Sequence, residues 1–131
     1  RYFIDCVDHE YALRAKKNGY LTIKLHNIYF DHIIGSKKKL LGNLLQVRLH
    51  NSSRLYYMCR NNALLFKTYL FSFPIFCLYR MISLLYVLTK NFIFSSNKRE
   101  ALSEIWQGIV DFTRCRYGRK IEKYEKHSKY I

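Results

Sequence analysis

The chain has 131 residues, half of them hydrophobic and 17% aromatic, with a formal net charge of +14 at pH 7. That length supports one core of ordinary size, and that apolar content excludes an intrinsically disordered chain. Cys6, Cys59, Cys77 and Cys115 form no Cys-x-x-Cys pair, which argues against a zinc site or a disulfide framework and fits a reducing, cytoplasmic setting. So positive a charge implies an anionic partner, commonly nucleic acid or an acidic membrane surface.

The first element lies between Phe3 and Gly19. Asp5, Asp8 and Glu10 end a short apolar run, and Tyr11, Ala12, Leu13 and Ala15 then predict a helix over about Asp8 to Asn18. Asp8 suits the N-cap and Gly19 the left-handed C-terminal turn, while Arg14, Lys16 and Lys17 complement the helix dipole. Capping is one reading of the acids. The other is chemical, since three of the nine acidic residues fall within six positions here, beside His9, a concentration suited to acid/base work or metal binding.

After Gly19, Tyr20 to Leu25 alternates and is rich in β-formers, which predicts a strand, and a second run from Asn27 to Ile33 can pair with it. His26 lies between them. His32 lies in the second run, where a lone histidine is more often a satisfied polar residue than a ligand. Gly35 to Lys39 reads as a loop. Its three lysines are either simply solvated or attract a diphosphate or anionic lipid.

From Ser52 the pattern turns to long apolar stretches. Ser52 or Ser53 can cap a helix that Pro74 interrupts, and a second helix is predicted from Ile75 to about Lys90. Arg54, Tyr56 and Arg60 form a polar-aromatic band at the start of the first. The longest charge-free run here, Thr68 to Tyr79, falls short of a conventional span. Two amphipathic helices lying in a membrane interface fit better, with Phe71, Phe73, Phe76, Leu78, Tyr79, Leu84, Leu85 and Tyr86 toward lipid; burial against another part of a larger protein is the competing reading. Beyond Ser95-Ser96-Asn97 a packing helix is predicted from Lys98 to about Phe112. The basic tail after it reads as solvated or disordered, or as a contact for headgroups or nucleic acid.

Three of these segments carry a resemblance. Asp8, Glu10 and Arg14 resemble the Glu-Asp-x-Asp-x-x-x-Arg signature of family 2 glycosyltransferases, and Asp5 to Arg14 resemble the variant seen in bacterial rhamnosyltransferases. His32-Ile33-Ile34-Gly35 resembles the His-x-x-Gly that follows it, and Arg54-Leu55-Tyr56-Tyr57 with Arg60-Asn61 resembles a later Arg-x-Tyr-Tyr-x-x-Arg-Asn. Gly108 to Phe112 resembles a terminal Gly-x-x-Asp-Gly only weakly. Order and spacing agree across the first half of the chain.

The resemblance implies an inverting glycosyltransferase of bacterial surface polysaccharide synthesis, moving a sugar, rhamnose by analogy, from a nucleotide-sugar to a glycan or lipid-linked acceptor. The fold it implies is mostly α with a short β element, the C-terminal fragment of an α/β, Rossmann-like, GT-A type enzyme followed by amphipathic helices. Residues 1–50 would end the catalytic domain, 51–113 form a helical membrane-interface region and 114–131 a basic tail. Asp8 would be the catalytic base, Glu10, Arg14, Arg54, Tyr57 and Arg60 would bind substrate, and His32 would be a metal ligand. A divalent Mg or Mn ion is expected in the full-length enzyme, peripheral on the inner face of the cell membrane. No Asp-x-Asp and no Gly-rich loop occurs, so the donor-binding half is expected elsewhere and the fragment alone is expected to be inactive. The alternative, a small basic nucleic-acid-binding module, explains neither the acidic cluster nor the apolar middle.

Overall fold

The computed structural model describes residues 1–23, 26, 27, 29, 37–40 and 45–120. In chain order they form α1 (Val7–Lys17), β1 (Lys37–Leu40), β2 (Leu45–Arg48), α2 (Ser52–Tyr69), α3 (Pro74–Phe94) and α4 (Lys98–Thr113). This overturns the expected Rossmann-like α/β fragment. The β structure among the described residues is one antiparallel ribbon, with Lys37 opposite Arg48 and Leu40 opposite Leu45. The described residues are held by helix-to-helix packing, and among them no parallel sheet offers α1 a surface.

Two local readings change with it. Tyr20 to Ile23 joins no ladder, and Tyr20, Leu21 and Ile23 are exposed; alternation makes a strand only where a partner edge is available. The predicted lysine loop instead begins β1. The second predicted strand and His32 lie outside the described residues, apart from Asn27 and Tyr29, which form no strand.

The helices follow their local signals more closely. α1 ends in a Schellman turn: the Tyr20 amide donates to the Ala15 carbonyl (3.0 Å) and that of Gly19 to Lys16 (3.1 Å), with Gly19 at φ 83°. Its start differs from expectation, because Cys6 is the N-cap and Asp8 lies inside the first turn. α2 begins after Asn51, one residue ahead of the expected capping serines. Pro74 occupies the first turn of α3, where its missing N–H costs nothing. At the start of α4, Asn97 Nδ2 donates to Glu100 Oε2 (3.3 Å).

α2 is the central helix. Leu65 and Tyr69 pack with Cys6 and Leu13 from the α1 side and Cys77 from α3, and Leu55 and Met58 pack with Ala101 of α4. The first apolar helix of the expected interfacial pair is therefore core, and of the two only α3 keeps an apolar outer face. Its 21 residues are long and apolar enough to cross a membrane, a property the charge-free-run reading missed. α4 approaches α2 closely because Gly108 is buried against it; a Cβ there would lie 2.5 Å from the Tyr56 carbonyl oxygen.

Candidate functional site

The signature residues divide into an exposed set on α1 and a buried set on α2. Asp8 is exposed in the first turn of α1 and makes no hydrogen bond or ion pair among the described residues. Two residues on, and so on nearly the opposite side of α1, Glu10 pairs with Arg14 (Oε1 to Nε, 3.1 Å) and accepts from the Tyr69 hydroxyl (3.2 Å), which ties α1 to the end of α2. Arg1, Tyr2, Val7, Glu10 and Arg14 line an open depression beside them. Burial and the Glu10 charge push the Tyr2 phenol up, so it stays neutral.

Asp5, the first acid of the cluster, is committed elsewhere. Its Oδ2 accepts from the Cys6 thiol (3.2 Å) and from Asn62 Nδ2 (3.5 Å), and lies 3.6 Å from Arg80 Nη2 of α3. Arg80 also donates from Nε to Asn62 Oδ1 (3.2 Å) and from Nη2 to Cys6 Sγ (3.4 Å). Burial, reinforced by Asp5, pushes the Cys6 thiol up to about 12, which keeps it an inert donor. The backbone on either side of Asp5 is left-handed, Ile4 at φ 65° and Cys6 at φ 62°. A β-branched residue there is strained, and such strain persists only where the surroundings over-determine it. Asn61 supplies that restraint, donating from Nδ2 to the Phe3 carbonyl (3.0 Å) and the Asp5 carbonyl (2.9 Å).

The expected polar-aromatic band is mostly interior. Arg60 is 1% exposed, with its guanidinium 5.2 Å from the ring centroids of both Tyr56 and Tyr57. It donates to Asn61 Oδ1 (3.1 Å from both Nε and Nη2), to the Tyr56 hydroxyl (3.1 Å) and to the Gly118 carbonyl (2.7 Å). Tyr56 passes the bond on to Asp111 Oδ2 (2.8 Å), so a carboxylate of α4 faces the buried cation through one hydroxyl. Tyr57 packs on Phe3 (5.3 Å between centroids) and accepts from the Lys120 amide (2.9 Å). Tyr57 and Arg60 are thus buried, and each holds neighbouring segments in place rather than facing open surface. Arg54 stands apart from them, half-buried, with its Nε shielded from water and unpaired among the described residues.

Asn62, Arg80, Glu104 and Lys120 were not singled out from sequence. Lys120 Nζ binds both Glu104 carboxylate oxygens at 2.7 Å, and the Gly118 amide donates to the Arg1 carbonyl (3.0 Å). The start of the presumed tail thus closes over α2 and meets the N-terminus. A usable signal was Arg80 itself, a cation in the middle of an apolar stretch, because a charge buried in such a setting needs a partner.

Among the described residues no group of three His, Cys, Asp or Glu side chains could hold a metal ion. No protein family, curated protein or solved structure matches the chain.

Proposed function

We propose that this chain is the acceptor-side portion of an inverting, rhamnosyltransferase-like glycosyltransferase, and that Asp8 is its general base. The carrying observation is the contrast between the two aspartates: Asp5 is bonded into the fold, and Asp8, three residues on, is exposed, with no side-chain hydrogen bond or ion pair among the described residues, on a helix whose start that bonding holds still. In the proposed reaction the Asp8 carboxylate takes the proton of the acceptor hydroxyl. The hydroxyl oxygen forms its bond to the anomeric carbon as the bond to the nucleoside diphosphate breaks, and the leaving group departs with the electron pair, inverting the configuration. Arg14, held by Glu10, is the cation that faces the substrate's negative charge. Asn61, Asn62 and Arg60 are positioning residues.

The donor site and any Mg or Mn ion would draw on residues beyond those described, His32 among them, and no step of the proposal runs through a metal. The acceptor is a glycan or lipid-linked sugar. Asp8→Asn in the complete enzyme is expected to abolish transfer while nucleotide-sugar binding, followed by calorimetry, stays near wild type. Unchanged transfer would remove Asp8 from this role.

A further inference from the structure

α3 turns a largely apolar face outward, with Thr89 its one exposed polar member. Ile75, Leu78, Ile82, Leu85, Tyr86 and Ile93 are all exposed, and their spacing of three, four and seven positions puts them on one stripe. No charged residue interrupts it. Arg80 is turned inward onto Asp5 and Asn62, and Lys90 folds over the Tyr86 ring (Nζ to centroid 5.3 Å). Phe71, 96% exposed in the turn before α3, extends the apolar surface at one end. At the other, a groove of about 310 Å³ lined by Leu88, Phe92, Leu102 and Ile105 carries it toward α4.

The stretch of chain that carries this face has charge of one sign. Between Asp31 and Glu100 the chain has no acidic residue, while Lys67, Lys90, Lys98 and Arg99 all fall in that interval. Lys16 and Lys98 reach over Phe73 and Phe92 at opposite ends of α3 (5.8 and 5.5 Å), the posture of long cationic side chains that cover apolar surface while their heads stay wet. A second protein would need its own acids to match such a rim. An anionic lipid surface supplies apolar depth and negative headgroups together.

We propose that α3 docks this chain in the plane of an anionic bilayer, apolar stripe down, with the basic residues at headgroup level. A transmembrane placement conflicts with the inner side of the same helix. Arg80 is bonded to Asp5 and Asn62, and Asn91 accepts the His50 amide (3.0 Å), so a span would draw these polar groups and the flanks of α2 and α4 into hydrocarbon. The docking does not depend on the transferase chemistry.

The test is co-sedimentation of the 131-residue chain with vesicles of phosphatidylcholine alone or mixed with phosphatidylglycerol. Wild type is expected to partition onto the mixed vesicles and to be released by alkaline carbonate. Ile82→Gln with Leu85→Gln, which keeps the charge, is expected to bind at least about tenfold more weakly with unchanged circular dichroism. Equal binding by that variant, a soluble dimer that ignores vesicles, or resistance to carbonate would each overturn the proposal. A second variant, Leu85→Trp with Trp106→Phe, reads depth: quenching by lipids brominated near the headgroup is expected, and quenching strongest at the bilayer centre, or absent, overturns it.

Discussion

Arg80 of α3 lies 3.6 Å from Asp5, with both side chains largely buried. This pair joins the third helix to the strained turn that launches the first. Removing the cation leaves a largely buried carboxylate with only the neutral Cys6 thiol and Asn62 amide as donors, the costly way to break a buried pair. Arg80→Met is therefore expected to destabilise the fold by about 2–4 kcal/mol in urea unfolding, and Asp5→Asn by less, because an amide still accepts from Arg80. Equal and negligible losses would show that the pair holds nothing.

Asn61 spans the Phe3 and Asp5 carbonyls and also accepts from Arg60. Asn61→Ala removes those bonds from a site with no access to water and is expected to cost about 3 kcal/mol. Amide exchange over residues 3–6 should quicken before that of α2. A uniform change across the chain would mean that Asn61 does not restrain this turn in particular.

Gly108→Ala tests the approach of α4 to α2. Alanine favours a helix, yet its Cβ would meet the Tyr56 carbonyl oxygen at 2.5 Å. The clash is expected to win, lowering stability by about 1–3 kcal/mol with α-helix content retained. A stabilised variant would place the two helices further apart.

His9 packs edge-on against Phe76, 5.7 Å between centroids. Burial and the Arg80 charge hold its imidazole below the ordinary value of 6.5, against the opposing pull of Asp5 and Asp8. Folding thus favours the neutral ring. This contribution to stability is full above the ordinary histidine range and is lost as pH falls through 6.5 toward the folded value. An NMR titration of His9 should show a midpoint below 6.5, rising in Arg80→Met; a midpoint above 6.5 in wild type would contradict the packing.

Much of the helical layout was legible because its boundaries are local. Gly19 closes α1, Pro74 opens α3, and Ser95 to Asn97 separates α3 from α4. The β elements were not, since pairing of Lys37–Leu40 with Leu45–Arg48 is decided by backbone register that lysine side chains do not announce. The candidate site was half legible. The acids of α1 stood out by their concentration in a basic chain. The burial of Arg60 and Asn61 did not, because polar residues default to the surface until long-range partners such as Gly118 and Phe3 are known.

The central claim is that Asp5 builds the site and Asp8 works in it. Initial-rate measurement of sugar transfer by Asp5→Asn and Asp8→Asn forms of the complete enzyme, each corrected for folded fraction, tests it most directly. The account predicts that Asp8→Asn melts like wild type and loses turnover by about 10²–10⁴-fold, while Asp5→Asn melts earlier and keeps most of its turnover per folded molecule. Wild-type turnover in Asp8→Asn, or a catalytic loss confined to Asp5→Asn, would contradict it.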